Sequence, residues 1–521
     1  MIEKYLNNHF ITLYFIPLII GSLTVFSFQP FNFTFINFIV LPILFYLINY
    51  IKKKSKSIYR KKPYLKNLFI FGTSFGFAFY LSGTHWIINS LTFDESFKVF
   101  IPFGLILIPL FLSLFFSLVI LSLGPFLSLN FASLLLFASA LAFSDYIRSK
   151  ILTGFPWNLW AYSFSWATEI LQILNIIGLF AFNLIIISLF LLPTVLIFNL
   201  KLSRKIFYII LIPVFLFIFY IFGNHSINKN RVFLSDNLPK YYIKVISPNF
   251  NLDYGLSSRE IESRLKKLIR YSNPEKDLKT IFVWPEGVFS GYEFNEISKF
   301  QKIFSRNFGE KHLILFGVNK LEPNSGMYYN NLVIVNNRLE IVEEYSKQKL
   351  VPFGEFLPFE SILNKIGFKK ITEGHGSFLK GEKQGNLIIE NMKILPLICY
   401  EIIFTKLSQQ SDPETNIIIN ISEDGWFGNS IGPHQHFVKG VFRAIEQNSF
   451  LIRSANKGIS AIINNKGEII KKLDIVEAGN IDLEVPLIRT EKKNKNDLIF
   501  FILLLTYILI FNLIKKNNVK K

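Results

Sequence analysis

Three polar residues stand at the ends of apolar runs, and their side chains are of the types needed for acyl transfer. Glu286 ends TIFVWPE, Cys399 ends KILPLIC, and Lys347 follows the run NLVIVN and its turn. A carboxylate can take the proton of a thiol, and an ammonium can stabilise both the thiolate and a developing oxyanion. Together they predict an acyl-transfer site that needs neither histidine nor metal.

Each residue also has a simpler interpretation. A lone cysteine ending an apolar strand is usually a small buried hydrophobic residue. Glu286 after Trp-Pro is typical of a solvated loop, and Lys347 lies among charges typical of a solvated face. Because the chain has one cysteine, it can form no intrachain disulfide, and any thiol chemistry must use Cys399. The strand before Cys399 and the helical pattern IIFTKL after it predict a sharp turn, where helix amides would favour the thiolate.

The elements that must position these residues lie between about residues 223 and 497. Short apolar runs predict strands at YYIKVIS, TIFVW, LILFGV, NLVIVN, KILPLIC and NIIINIS. Helical patterns lie between them, in SSREIESRLKKLIRYS and GPHQHFVKGVFRAIEQ. Alternation of strands and helices over this length predicts one α/β layered domain.

The rest of the chain is apolar enough to cross a membrane. The hydrophobic fraction is 51% and the mean hydropathy is +0.37. Stretches that can span a core of ~30 Å are predicted at 11–28, 31–50, 67–90, 99–123, 129–146, 168–198, 206–222 and 498–514. We therefore expect a membrane domain of about seven helices in 1–222, a catalytic domain in 223–497, and a last helix and tail in 498–521.

The net charge of +19 is carried mostly by clusters beside the apolar runs, which is typical of topology signals. The clusters at 51–66, 201–205 and 515–521 fall inside if the N-terminus is cytoplasmic, and segment 223–497 then faces outward. The cluster at Lys492, Lys493 and Lys495 disagrees with this orientation. No basic stripe with interleaved aromatics occurs in the polar region, so nucleic-acid binding is not expected.

The motifs resemble a known family. WPE at 284–286, YSKQKLVPFGEFLP at 345–358 and LICYE at 397–401 resemble the nitrilase superfamily. The pattern K-x-x-L-V-P-F-G-E-x-x-P and ISEDGWFGNSIGPHQH at 421–436 are more particular and resemble the apolipoprotein N-acyltransferases. SGTHWIINSL at 82–91 and LTGFPWNLWAYS at 152–163 are similar to that family's segments between spans, so the resemblance extends from about residue 20 to 514.

The resemblance implies a fold and a set of site residues. The fold would be a multi-span α-helical membrane domain plus an α/β nitrilase-like domain, an α-β-β-α sandwich. The nucleophile would be Cys399, the general base Glu286, and the lysine Lys347 rather than Lys349. The residues that would support the site are Glu355, Tyr400 and Glu401.

The resemblance also implies a reaction at a bacterial inner membrane, with the catalytic domain in the periplasm. An acyl chain would pass from a phospholipid, expected to be phosphatidylethanolamine, through a Cys399 thioester to the α-amino group of a diacylated apolipoprotein. No cofactor is expected, because the donor ester is already activated, and we expect a monomer. Two alternatives remain: a membrane-anchored nitrilase-type amidase that uses the same triad with water as acceptor, and a non-enzymatic membrane scaffold or transporter.

Further residues have weaker signals. A transferase needs an apolar mouth that excludes water, and the aromatic candidates for it are Phe353, Phe356, Trp426 and Phe427, with Gly425 and Gly428 as hinges.

His434 and His436 have no third ligand at suitable spacing, so no metal is expected. Arg443 and Glu446 are expected to form a helical ion pair. Trp157 and Trp160 are predicted as interfacial anchors, with contacts to the lipid substrate as the alternative. The sequence departs from the family where N-D-A-W-F is common, since it has Glu423-Asp424-Gly425-Trp426-Phe427 there.

Overall fold

The computed structural model describes residues 5–54, 64–235, 238–253, 255–363, 365, 377–383, 385–409, 415–488 and 496–519. Several lysines used above to predict orientation, in 55–63, 492–495 and 520–521, lie outside these ranges. The chain forms two compact units. The helical unit comprises Met1–Ile88, Lys98–Ser226 and Lys493–Lys521, and the sheet unit comprises Asn89–Phe97 and Ile227–Lys492.

The helical unit is built from apolar helices. They are α1 (Ile16–Leu23), α2 (Asn37–Lys54), α3 (Tyr64–Thr84), α4 (Ile101–Leu123), α5 (Phe131–Arg148), α6 (Thr168–Leu171), α7 (Leu174–Leu191), α8 (Leu202–Leu234) and the C-terminal α15 (Asn496–Val519). Among the described residues, six helical stretches are long and apolar enough to cross a membrane, and the first stretch, Ile11–Ser27, is shorter. The predicted stretch 168–198 is divided into α6, α7 and a 3-10 turn.

Small residues let α3 and α4 pack closely. A Cβ atom on Gly72 would lie 2.8 Å from the Cα atom of Ser117, and one on Gly76 would lie 2.9 Å from that of Ser113. The hydroxyl oxygens of Thr73 and Ser117 are 2.8 Å apart. Small residues four apart on both helices allow the backbones to approach, which is the usual way that helices associate in lipid.

The two tryptophans predicted as interfacial anchors are instead buried in the helical unit, so that prediction was wrong. Trp157 and Trp160 are each 1% exposed. Trp157 contacts the rings of Trp86 and Phe155, and Trp160 contacts Phe79. Their indoles are large apolar groups, and the packing contacts available in the unit outweigh a position at the headgroup level.

The sheet unit contains two six-stranded sheets. One has the order β12-β1-β2-β3-β4-β5 and the other β11-β10-β9-β8-β7-β6. The strands are β1 (Lys240–Ser247), β2 (Thr280–Val283), β3 (His312–Leu321), β4 (Tyr328–Val335), β5 (Ile341–Ser346), β6 (Leu387–Ile389), β7 (Met392–Ile398), β8 (Ile417–Glu423), β9 (Phe450–Asn456), β10 (Ser460–Ile463), β11 (Ile469–Leu473) and β12 (Gly479–Pro486). All six predicted strands are confirmed.

The core of the sheet unit lies between the two sheets. Val245 and Val283 of the first sheet and Ile398 and Ile419 of the second belong to one buried cluster. A second cluster covers the other face of the first sheet, where Phe282 packs with Leu265 and its neighbours. Alternate residues of a strand point to opposite faces, so strands covered on both faces are apolar throughout.

Helices cover the outer faces of the sheets. The longer two are α9 (Ser258–Ser272) and α14 (Gly432–Gln447), as predicted, and the shorter ones are α10 (Phe294–Ile297), α11 (Gln301–Asn307), α12 (Glu360–Leu363) and α13 (Thr405–Gln409). Helix α9 begins at Ser257, whose side chain and Glu260 form a reciprocal capping box. In α14, Arg443 and Glu446 form the expected ion pair, and both are buried. The predicted α-β-β-α sandwich is confirmed.

Candidate active site

Glu286 leaves the carboxyl end of β2 and is held by two donors. The Asn330 amide donates to Oε1 of Glu286 at 2.8 Å, and the main-chain N–H of Glu423 donates to Oε2 at 3.0 Å. The neighbouring strand β3 passes so close that a Cβ atom on Gly317 would lie 2.9 Å from the Cα atom of Glu286. Glycine at this position therefore makes room for the glutamate backbone.

Lys347 follows β5 directly, and its ammonium lies between two carboxyl groups. Its Nζ atom is 2.8 Å from Oε1 of Glu355 and 3.5 Å from Oε1 of Glu286. The side chain is 1% exposed. Burial acts to lower the pKa of Lys347, but Glu286 and Glu355 outweigh it, and the net pKa is raised. The lysine is therefore a permanent cation at this site.

The neighbouring Lys349 is placed differently. Its Nζ atom lies over the ring of Phe404, 5.0 Å from the ring centre. Between the two lysines of the motif, the structure thus brings Lys347, and not Lys349, to the carboxyl groups.

Glu355 is fixed by its own loop as well as by Lys347. Its Oε2 atom accepts from the N–H of Val351 at 2.8 Å, and its own N–H donates to the Val351 carbonyl at 2.8 Å. The Asn330 amide donates to Oε1 at 2.7 Å. The loop also carries two of the predicted mouth residues: Phe353 is 45% exposed with a φ of +62°, and Phe356 is half-buried.

Cys399 follows β7 in a strained conformation. Its φ is +51°, in the left-handed region that residues with a Cβ atom avoid. Such strain persists only where the surrounding structure imposes it, and it is typical of functional residues. The thiol is half-buried within reach of the charges of Glu286 and Lys347.

The resting state of the thiol differs from the sequence-based expectation. Burial and the Glu286 carboxylate raise the pKa of Cys399, and Lys347 only partly offsets them. The element after Cys399 is a 3-10 turn, Cys399–Ile403, rather than a full α-helix. The raised pKa favours the protonated thiol, and a base that takes the proton during attack would then be needed.

Glu401 has a supporting position that joins two segments. Its Oε1 atom accepts from the Tyr345 hydroxyl at 2.9 Å and from the N–H groups of Gln348 and Lys349 at 2.7 and 3.0 Å. Its Oε2 atom accepts from the N–H of Ile398 at 2.8 Å. Burial raises the pKa of Glu401 to about 7, although the donors and Lys347 oppose it. This carboxyl ties the lysine segment to the end of β7.

The remaining predicted residues lie around the cluster. Tyr400 is half-buried and packs edge-on against the ring of Phe404, 5.0 Å between centres. Trp426 is half-buried and Phe427 is 8% exposed. Both belong to the 3-10 turn Asp424–Phe427, which directly follows β8.

Sequence reasoning missed Asn330, whose amide donates to both Glu286 and Glu355. It lies at the start of β4, and the main-chain N–H of Lys347 donates to its carbonyl at 2.9 Å. An adjacent pair of asparagines in YYNNLVIV was the one signal available, since asparagine is uncommon inside strands.

A buried ionic network next to Cys399 was also missed. Asp424 pairs with Arg453 at 2.7 Å and lies 2.9 Å from Nδ1 of His436. The other ring nitrogen of His436 lies 3.3 Å from the Cys399 carbonyl oxygen. Burial acts to raise the pKa of Asp424, but Arg453 and His436 outweigh it and lower the pKa well below its usual range. His436 thus contacts the Asp424 carboxylate and the main chain of Cys399.

Comparison with known proteins agrees with both halves of the chain. Residues 20–192 match the family described as the Apolipoprotein N-acyltransferase N-terminal domain, and residues 272–493 match the Carbon-nitrogen hydrolase family. An apolipoprotein N-acyltransferase from Rhodopseudomonas palustris is 31% identical over 435 residues, which is 80% of each chain. The protein of the same name from Rickettsia typhi is 31% identical over 84% of this chain and 89% of its own length.

This chain belongs to the apolipoprotein N-acyltransferase family. It is accordingly an acyltransferase of the carbon-nitrogen hydrolase superfamily and a bacterial membrane protein. Among solved structures, an amidase from Nesterenkonia sp. AN1 is similar over 50% of this chain and 97% of its own, with 14% identity and a TM-score of 0.36.

The arrangement in this apolipoprotein N-acyltransferase family member has a definite chemical capacity. A half-buried thiol of raised pKa, a carboxyl group that accepts from two uncharged donors, and an ammonium of raised pKa lie within reach of one another. The carboxyl can accept the thiol proton as sulfur attacks a carbonyl carbon. The ammonium can then stabilise the resulting oxyanion in a site of low dielectric constant.

Proposed function

We propose that this protein transfers a fatty acyl chain from a phospholipid to the α-amino group of a diacylated apolipoprotein. The observation that carries the proposal is the Glu286–Lys347–Glu355 cluster beside the strained Cys399. The part of the chain that the structure describes also has six helices long and apolar enough to cross a membrane. The donor we propose is phosphatidylethanolamine, and the enzyme acts as a monomer without a cofactor.

The reaction has two half-reactions. In the first, Cys399 attacks the ester carbonyl, Glu286 takes the thiol proton, and Lys347 stabilises the oxyanion. The bond between the carbonyl carbon and the ester oxygen breaks, Glu286 returns its proton to the leaving alkoxide, and a lysophospholipid departs. In the second, the lipoprotein amine attacks the thioester and Glu286 accepts a proton from the amine. The bond between the carbonyl carbon and sulfur breaks, and Glu286 returns the proton to the sulfur of Cys399, which restores the thiol.

The supporting residues act through others. Glu355 and Asn330 fix Lys347 and Glu286, and Glu401 fixes the ends of β7 and of the lysine segment. Tyr400 follows the nucleophile, and the aromatic residues Phe353, Phe356, Trp426 and Phe427 line the mouth that excludes water from the thioester.

A membrane location suits these substrates. Both carry acyl chains embedded in lipid, and exposing such a chain to water costs about 0.8 kcal/mol per CH₂. A site served by residues 223–497, anchored by helices in 1–222 and 498–521, avoids that extraction.

Burst kinetics test the transferase function against an amidase-type hydrolase. Enzyme in detergent with phosphatidylethanolamine alone should release about one equivalent of lysophospholipid and then stop, because the acyl-enzyme has no acceptor. A diacylated lipopeptide with a free α-amine should restart turnover, and an N-acetylated lipopeptide should not. Continuous release of fatty acid without an amine would identify a hydrolase and contradict the proposal.

The catalytic segment is proposed to face the periplasm of a bacterial inner membrane. Because Cys399 is the one cysteine, Cys399→Ser leaves a chain without thiols for labelling. In that background, Val476→Cys, at a position 80% exposed, should react with a membrane-impermeant maleimide in intact spheroplasts. Ser203→Cys, beside the basic residues 201–205, should react only after lysis. The reverse pattern would overturn the orientation.

A further inference from the structure

A short segment between two helices of the helical unit belongs to the sheet unit. Residues Asn89–Phe97 group with Ile227–Lys492, although the chain before them, to Ile88, and after them, from Lys98, belongs to the helical unit. The sequence predicted only a connecting loop here. We call Asn89–Phe97 the strap, and residues 423–428 the base loop, because Glu423 contacts Glu286.

The strap contacts the base loop at two points. The Asn89 amide donates to the main-chain carbonyl of Phe427 at 2.5 Å. The rings of Phe93 and Trp426 meet edge to face, with their centres 5.2 Å apart and an interplanar angle of 76°. The Ser430 hydroxyl also donates to the Phe427 carbonyl, at 2.7 Å. One polar and one aromatic contact thus join two segments that lie 338 residues apart in sequence.

The base loop is shaped to receive Asn89. Gly428 has a φ of +59°, and a Cβ atom there would lie 2.8 Å from Nδ2 of Asn89 and 3.1 Å from its Cγ atom. The glycine that the sequence suggested as a hinge therefore allows both the turn and the close approach of the strap. A side chain at 428 would have to displace Asn89.

The other end of the base loop reaches the proposed base. The N–H of Glu423 donates to Oε2 of Glu286 at 3.0 Å. The Glu423 carboxyl is held in turn by the N–H of Gly425 at 2.9 Å and the Asn456 amide at 2.7 Å. The loop thus runs from a contact on Glu286 to a contact on the strap, with few residues between them.

We propose that Asn89 and Phe93 are positioning residues for the first half-reaction. By holding the base loop, they keep the Glu423 N–H on Glu286 and orient that carboxyl toward the Cys399 thiol. The proposal rests on the role of Glu286 proposed above. The connection between α3 and α4 would then contribute to catalysis through residues that do not touch the reacting atoms.

Kinetics of acyl-enzyme formation test this role. Asn89→Ala and Phe93→Ala should each lower the rate constant of the lysophospholipid burst by about tenfold, the equivalent of one lost hydrogen bond or ring contact, with KM unchanged. Phe93→Tyr, which keeps the ring, should restore the rate. Val99→Ala, at a 65% exposed position just beyond the strap, is the control and should match wild type. A raised KM with an unchanged rate constant would mean that these residues bind substrate, and it would overturn the positioning role.

Cross-linking separates failure of the strap from failure of the proposed function. In the Cys399→Ser background, Phe93→Cys and Trp426→Cys together should be joined by a short bismaleimide, whereas either cysteine alone should give no intramolecular cross-link. Absence of the first cross-link would overturn the strap, whatever the activity. If wild-type enzyme gives no burst but the cross-link forms, the contact stands and the proposed function fails. A cross-link with normal kinetics in Asn89→Ala and Phe93→Ala would overturn their positioning role.

Discussion

Two buried ionic clusters, one from each unit of the molecule, differ in charge balance. In the helical unit, Asp145 and Arg148 pair at 2.8 Å, and Asn183 donates to the second carboxylate oxygen at 2.9 Å. Arg148 also donates to the Phe155 carbonyl, which ties the end of α5 to the following loop. One acid and one base thus balance each other's charge, and each also binds a neighbouring polar group.

In the sheet unit, two carboxyl groups, Glu286 and Glu355, share the single ammonium of Lys347. The main-chain N–H of Glu423 and the Asn330 amide complete the set without adding charge. A buried ion pair whose charges balance helps to specify one conformation. A cluster with one carboxyl group more than it has cations can instead accept a proton. The difference predicts that the first cluster serves stability and the second serves chemistry.

The largest expected effect separates the two lysines of the motif. Lys347→Met should slow the lysophospholipid burst roughly 100- to 1,000-fold, the usual cost of one oxyanion donor. Lys347→Arg should also lose activity, because the guanidinium fork does not fit the site of an ammonium. Lys349→Met and Lys349→Arg are the matched controls and should stay near wild type. Equal loss at both positions would remove the distinction between Lys347 and Lys349.

The balanced cluster should respond in stability instead. Arg148→Met leaves the Asp145 carboxylate buried without its partner and should reduce the free energy of unfolding by about 3 kcal/mol. Adding Asp145→Asn should recover part of that loss, because the uncompensated charge is gone. Thermal unfolding in detergent measures both variants. A large fall in the acylation rate with unchanged stability would contradict a structural role for this pair.

The pH dependence of thiol alkylation tests whether the Glu286 carboxylate raises the pKa of Cys399. Because the pKa of Cys399 is raised, its thiolate fraction at neutral pH should be smaller than that of an ordinary cysteine. Iodoacetamide should therefore react slowly at pH 7 and faster as the pH rises. Glu286→Gln removes one cause of the raised pKa, so its thiol should be alkylated faster at the same pH while the enzymatic burst is lost. Slower alkylation of Glu286→Gln would show that Glu286 does not destabilise the thiolate.

The smallest effect concerns the second carboxyl of the cluster. Glu355→Gln should lower the burst rate constant about tenfold, because Lys347 keeps its ion pair with Glu286 but loses the shorter one with Glu355. Glu360→Gln, on an exposed residue close in sequence, is the control. A loss in Glu355→Gln as large as in Lys347→Met would mean that Glu355 has a direct chemical role.

The six predicted strands are mostly apolar runs, whereas the others are either short, such as β6 and β10, or carry charged residues. β7 and β8 have such runs, whereas β5 (IVEEYS) and β11 (IIKKL) carry charged residues. β11 is exposed along most of its length, and β5 is mostly half-buried. Whether Trp157 and Trp160 would lie at an interface or in the interior depended on tertiary packing that no local pattern contains.

The site could be predicted as far as its motifs extend. Glu286, Lys347, Cys399, Glu355 and Glu401 stand in recognisable patterns, and the structure brings all of them to the strand ends or to the carboxyl cluster. The partners of Glu286 could not be predicted, because Asn330 and Glu423 lie 44 and 137 residues from it in sequence. Contacts between main-chain N–H groups and side chains also leave no trace in residue types.

Intact-protein mass spectrometry tests the central claim, that Cys399 carries the acyl chain. Enzyme incubated with phosphatidylethanolamine and no acceptor should gain the mass of one acyl group. Hydroxylamine should remove it, as should a diacylated lipopeptide with a free α-amine. Since Cys399 is the one cysteine of the chain, a hydroxylamine-labile adduct has one thiol to occupy, and Cys399→Ala should gain nothing. An adduct that persists in Cys399→Ala, or wild-type enzyme that releases lysophospholipid without ever gaining mass, would contradict the account.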